Sequence, residues 1–195
     1  MLWRDVGPAA GQARGVPPIE LETPRLVLRR FAPTDGPALH AYLSRPAAVE
    51  FEPYGTMALD ECERLALERS ADVRFVAVCL ADGRLIGNLY CAAEGPARLR
   101  TWVVGYVLHP DHWGHGYATE AMAALLAHLF ADRQAHRVVA RCDPRNVRSW
   151  RLLERLGMRR EAHVLEGESF VDGPDGRPVW HDTYQYALLD HERLA

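Results

Sequence analysis

One stretch of this 195-residue chain narrows its fold more than any other. From Trp102 to Leu108 both alternating sets are apolar: Trp102, Val104, Tyr106 and Leu108 on one side, Val103 and Val107 on the other. A strand with two apolar faces must be covered on both, which places it inside a sheet. It runs into Trp113-Gly114-His115-Gly116-Tyr117-Ala118, where small residues allow a sharp turn. Next come Ala118, Ala121, Met122, Leu125, Leu126, Leu129 and Phe130, stepping by three and four as one face of a helix does. Val138 to Cys142 then reads as a second strand. Strand, turn, helix, strand is a crossover unit, expected to be parallel and right-handed.

The flanking sequence adds strands and helices of its own. Arg25 to Phe31 reads as a first strand, with Pro24 just ahead of it. Thr34 or Asp35 can cap a helix with Pro37 in its first turn and Leu39, Tyr42 and Leu43 on one face, ended by Pro46. Leu59 to Ala71 has helical spacing. Phe75–Leu80 and Leu85–Cys91, joined at Asp82-Gly83, form a hairpin pattern. Asn146 can cap a helix that stops at Gly157, and a last hairpin turns at Asp172–Gly176. The expected fold class is α/β (α+β): one domain, a mixed central sheet of about seven strands, helices on both faces. Residues 19–195 form this domain, and the Gly-, Ala- and Pro-rich residues 1–18 an expected flexible tail.

Composition removes several function classes. A net charge of -3, from 23 basic and 26 acidic side chains, gives no basic excess for nucleic acid. No apolar stretch approaches the ~20 residues of a membrane helix, and no signal peptide is read. Cys62, Cys79, Cys91 and Cys142 lie in apolar stretches, so reduced thiols and a cytoplasmic location are expected. His109, His112 and His115 are spaced by three but span a Pro-containing turn, and no metal is expected.

The glycine turn carries the chemistry. Free N–H groups and the dipole at a helix start favour an anion, so a phosphate-bearing cofactor is expected there. A dinucleotide fingerprint would need a third glycine where Thr119 stands, and a ribose-binding acid near Val139 and Ala140. A nucleoside-triphosphate loop would need Gly-Lys-Ser/Thr, which does not follow.

Leu108 through Ala121 resembles the acetyl-CoA loop of the Gcn5-related N-acetyltransferases (GNAT), and in particular the branch containing ribosomal-protein alanine N-acetyltransferases. Leu21-Glu22-Thr23-Pro24-Arg25-Leu26-Val27-Leu28-Arg29 is similar to that branch's opening strand, and Asp143 to Met158 to its second cofactor segment. The resemblance implies the acyl-CoA N-acyltransferase fold and an acetyl-CoA-dependent N-acetyltransferase that moves an acetyl group directly to a primary amine. It implies pyrophosphate contacts from the backbone of Trp113, Gly114, His115, Gly116, Ala118 and Thr119. Trp113 departs from the family's usual Gln or Arg, a change that backbone binding tolerates. A valine at Gly116 is expected to thrust into the pyrophosphate path.

Asn146 reads as a helix cap, and by resemblance it binds the pantetheine arm. Ser149 then lies near the thioester sulfur. Many relatives carry a proton-donating Tyr where this chain has Leu153, and Ser149 or a water takes that place. The resemblance, counted on from Gly157-Met158, implies Glu168 as the base; Glu50, Glu52, Glu161 and Glu166 are alternatives, and Asp182 could also attract an amine. The acetyl oxygen needs a backbone N–H at the end of the Trp102–Leu108 strand, from Val107, Leu108 or His109. Expected acceptors are a protein N-terminus, an aminoglycoside or small polyamine, or a metabolite amine. The missing Tyr leaves a non-catalytic acyl-CoA-binding module as the other reading. An exposed final strand would offer a pairing edge for a homodimer.

Overall fold

Eight strands form a single sheet in the computed structural model, which describes residues 18–192. The expected tail lies outside the described residues except for Pro18, as do residues 193–195. In chain order the strands are β1 (Leu21–Glu22), β2 (Leu26–Arg30), β3 (Phe75–Leu80), β4 (Leu85–Glu94), β5 (Thr101–Leu108), β6 (Arg137–Cys142), β7 (Arg159–Asp172) and β8 (Pro178–Leu189). Across the sheet they run β1-β2-β3-β4-β5-β6-β8-β7. The strand beyond the expected seven is β1, two residues paired to β2 through Leu21 and Leu28.

The doubly apolar β5 lies mid-sheet as its pattern requires. Its pairing with β6 is the one parallel ladder among the described residues, from Thr101 opposite Arg137 to Val104 opposite Ala140. There the strands part: β5 stays with β4 as far as Leu108 opposite Gly87, and β6 stays with β8 as far as Cys142 opposite Tyr184. The resulting notch opens in the middle of the sheet. The final strand is not an exposed edge, as expected from sequence; β8 lies between β6 and β7, and β7 forms the edge. That order depends on a long-range ladder with β6, which local patterning does not encode.

Helices cover both faces. Alternation along β3 divides the core: Val76 and Val78 pack with α4 (Tyr117–Ala131) and α5 (Val147–Arg155). Ala77 and Cys79 pack with α1 (Gly36–Leu43), α2 (Pro46–Val49) and α3 (Leu59–Ala71). α4 buries Ala121, Met122, Leu125, Leu126, Leu129 and Phe130, and each large side chain contributes about 1.5–3 kcal/mol. Pro46 does not merely end a helix. Ser44 caps α1, and Pro46 opens the one-turn α2, where its missing N–H is no loss. On this face the buried Asn88 amide oxygen accepts from the Tyr42 hydroxyl at 2.7 Å and from Arg69 at 3.2 Å. The Arg69 guanidinium lies over Phe75 and Phe31, so α1 and α3 are tied to β4 and to each other. No described helix is long and apolar enough to cross a membrane.

Candidate active site

The notch exposes main-chain groups at the end of β5. The His109 N–H donates to the Ile86 carbonyl at 2.8 Å. Antiparallel alternation then turns the Val107 amide toward β4 as well, and the Leu108 amide and carbonyl toward the gap left by β6. The Trp113 indole N–H donates to that Leu108 carbonyl at 2.9 Å, and the Arg148 guanidinium lies 4.8 Å above the Trp113 ring. The departure at position 113 thus gives the loop a side-chain anchor on the strand end. β4 must come very close here: a Cβ on Gly87 would sit 2.4 Å from the Val107 carbonyl oxygen.

The glycine turn leads directly into α4. Gly114 and Gly116 have φ of 79° and 81°, a region that favours glycine. The first bond of α4 runs from Glu120 N–H to the Gly116 carbonyl, so the amides of Tyr117, Ala118 and Thr119 stand ahead of the helix ladder. The Trp113 amide is already given to the Pro110 carbonyl, leaving the indole as its contribution. The opening strand holds this loop. Glu120 accepts from the Thr23 hydroxyl at 2.6 Å and from Arg25 Nε at 2.6 Å, and Arg25 Nη1 donates to the His115 carbonyl at 2.9 Å. Arg25 also lies 4.7 Å above the Tyr117 ring. Burial would raise the Glu120 pKa, but its bonds to Thr23 and Arg25 prevail and hold it below the ordinary value.

On the other side of the notch Asn146 caps α5, its side-chain oxygen accepting the Ser149 amide at 3.1 Å. The Tyr106 hydroxyl of β5 donates to the Ser149 carbonyl at 3.1 Å and lies 2.8 Å from the Ser149 hydroxyl, a contact in which either oxygen can be the donor. Two cavities meet here, sharing Phe51, Glu52, Tyr106, Asn146 and Ser149. The larger, about 610 Å³, extends over Val107, Leu108 and the Trp113–Thr119 loop, with Arg148, Arg151 and Arg155 of α5 along it. The smaller, about 60 Å³, opens between β5 and β6 toward Glu168, Phe170, His181 and Asp182.

The expected acids are sorted by their partners. Glu168 lines the small cavity, paired across the ladder with His181. A break in register between Val164 and Glu168, with Glu166 at φ 47°, reorients this part of β7. Asp182 pins that bulge, accepting the Glu166 amide at 3.0 Å and contacting His163 at 2.9 Å. Glu161 is engaged by Arg137 and Arg159, away from the notch. Glu52 lines both cavities and Glu50 only the larger. Asp143 also lines the small cavity; burial opposes its charge, but Arg145 holds its pKa below the ordinary value. Cys142 faces the same space, its thiol pushed up to about 12 by burial.

Tyr106, Phe170, His181 and Arg145 were not singled out by sequence. Phe170 and His181 stack at 6.0 Å, and Arg145 Nη2 lies 3.0 Å from His181 Nδ1. None of the four carried a usable local signal; Tyr106 lies on a strand whose apolar pattern makes a tyrosine read as core.

Comparison with known proteins places the chain. Residues 25–159 match the family model for the acetyltransferase (GNAT) domain, more than half of the sequence. The chain belongs to the GNAT family and is an N-acetyltransferase. It is 29% identical over 177 residues to the uncharacterized N-acetyltransferase YnaD of Bacillus subtilis (strain 168), covering 89% of this chain and 99% of that one. It superposes on a GNAT-family acetyltransferase from Bacillus anthracis with a TM-score of 0.80, 28% identity, and coverage of 89% of this chain and 100% of that one. A spermidine N-acetyltransferase from Vibrio cholerae, solved with CoA and spermine, has a TM-score of 0.70 at 22% identity, with coverage of 86% and 96%. That likeness extends to the fold alone.

Proposed function

We propose that the larger groove takes acetyl-CoA and that the acetyl group passes directly to a primary amine entering from the smaller cavity. The observation that carries this reading is the meeting of the two cavities at Tyr106, Asn146 and Ser149, where β5 and β6 part. The loop suits a pyrophosphate: two glycines at positive φ, three helix-start amides and no acid lining it other than Glu50 and Glu52 at the far lip. The roles of Gly114, His115, Gly116, Ala118 and Thr119 are to cradle that group. Asn146 and the end of β5 flank the pantetheine arm.

In this reading Glu168 removes the proton from the incoming ammonium, directly or through one water. The freed amine attacks the thioester carbon. The Leu108 amide donates to the oxygen as it becomes negative. As the tetrahedral species collapses, its nitrogen loses its second proton to solvent, the C–S bond breaks, and the sulfur takes a proton from the Ser149 hydroxyl, which the proton held by Glu168 restores through solvent. The products are the acetylated amine and CoA, with no acyl-enzyme.

The smaller cavity, about 60 Å³ against about 610 Å³ for the groove, takes the amine end of the acceptor. The rest of the acceptor lies outside, against Phe51, Phe170 and the β7–β8 hairpin. This favours an amine at the end of a slender chain, a peptide N-terminus or a linear polyamine, over an aminoglycoside ring amine. Acetyl transfer across N-terminal peptides, linear polyamines and aminoglycosides tests the reading. Glu168→Gln is expected to lower kcat/KM about 10²- to 10⁴-fold while CoA affinity stays near normal. Stoichiometric CoA binding without turnover on any amine would overturn it in favour of a binding module.

A further inference from the structure

We propose that Tyr106 is a catalytic proton donor acting in series with Ser149, so that this chain supplies from β5 the phenol it lacks at Leu153 of α5. The inference rests on the acetyl-transfer reading above. Leu153 and Tyr106 line the same small cavity, so the helix and the strand both reach the point where the thiolate leaves. Leu153 has nothing to give. Tyr106 places its hydroxyl 2.8 Å from Ser149 Oγ, within hydrogen-bond range, and also borders the larger groove.

A serine hydroxyl alone is a poor acid, because the alkoxide it leaves is very basic. A second hydroxyl removes that cost. As the C–S electron pair moves to sulfur, the Ser149 proton transfers to sulfur and the Tyr106 proton transfers to Ser149 Oγ. Ser149 ends neutral and Tyr106 ends as a phenolate, a far weaker base than an alkoxide. The proton that Glu168 took from the amine returns through solvent to the phenolate. The nitrogen gives up two protons, one as the ammonium ionises and one to solvent as the tetrahedral species collapses, and in net one of them reaches CoA and one is released. No further reactant is required.

The surroundings favour this assignment over the neighbouring thiol. Cys142 is also near Ser149. It sits on β6 on the acceptor side and does not border the larger groove. Burial raises Tyr106 above the ordinary phenol value, its bond to Ser149 offsetting this only in part, so the group rests as a neutral phenol with its proton in place.

The test is a cycle of Tyr106→Phe, Ser149→Ala and the double variant, read as kcat, KM for acetyl-CoA and calorimetric CoA affinity. The best amine of the panel serves as acceptor. Phenylalanine keeps the ring and its packing, and retained CoA binding with an unchanged melting temperature shows that the variant is folded. Tyr106→Phe is expected to lower kcat about 10²-fold with CoA affinity within about threefold of wild type. Because both hydroxyls serve one proton, adding Tyr106→Phe to Ser149→Ala should cost less than about threefold more. A kcat within about threefold of wild type overturns the inference, as do fully multiplicative losses or a loss of CoA affinity matching the loss of rate. Absence of transfer by the wild-type chain across the whole panel overturns the parent reading instead.

Discussion

Valine at Gly116 loads the cofactor loop at its tightest point. Gly116 is the N-cap of α4 with φ 81° and ψ 1°. A side-chain-bearing residue held there loses about 1–2 kcal/mol, and a β-branched one sits at the top of that range. The added Cβ would lie 3.4 Å from Arg25 Nη2, an ordinary contact, so within the free protein the cost comes from the left-handed backbone. If the free loop relaxes toward negative φ, ligand binding must restore the left-handed turn or proceed with its amides misaligned. Restoring it recovers the strain of about 1–2 kcal/mol; losing one charge-assisted bond costs about 1.5–3 kcal/mol. The CoA dissociation constant should therefore rise about 10- to 100-fold. The melting temperature should fall by a few degrees, roughly 2–4 °C per kcal/mol retained as strain. Gly114→Ala, at φ 79° with open space around its Cβ, should have the smaller effect. Isothermal titration with CoA and a thermal melt measure both quantities. A folded Gly116→Val protein binding CoA within about twofold of wild type would refute the loop's part in binding.

Other perturbations follow from the same contacts. Arg25→Ala removes the support under the His115 carbonyl and is expected to raise KM for acetyl-CoA about 3- to 10-fold with little change in kcat; an equal loss in kcat would contradict a role confined to the loop. The folded pKa of Glu120 is depressed below 4.5, so its stabilisation is complete above the unfolded value and disappears as pH falls through the folded one. Glu120→Gln should therefore lower the melting temperature at pH 7, and the gap to wild type should shrink in melts taken below about pH 4.

The central crossover could be read from sequence because its signals are local. β5 declares itself by two apolar faces, α4 by steps of three and four, the turn between them by two glycines at positive φ. The same holds for Asn146, whose cap bond to Ser149 spans three residues. β1 had no readable signal, since two residues carry no period. The edge position of β7 was invisible because it follows from β8 pairing with β6, a contact between distant segments. Tyr106 was hidden for a related reason: on a doubly apolar strand a tyrosine reads as core, and its partner lies 43 residues away. Glu168 reached the cavity through a bulge at Glu166 fixed by Asp182, while the bland acids Glu161 and Glu166 lie elsewhere. The resemblance, counted on from Gly157-Met158, indicated Glu168; no periodicity did.

The bond between Arg25 and the carbonyl of His115 joins residues 90 apart, and Thr23 meets Glu120 across 97. Closures of that span carry a large entropic cost and form late in folding. The Trp113–Thr119 loop, which we propose binds the pyrophosphate, therefore matures only when the beginning of the domain has docked onto its middle. During synthesis β2 can already pair with β3, but Thr23 and Arg25 must wait for the loop to emerge. CoA affinity is thus a reporter of completed topology: a chain trimmed past Thr23 would assemble its helices around a slack loop, and ligand would in turn select the molecules in which the last long-range contact has closed.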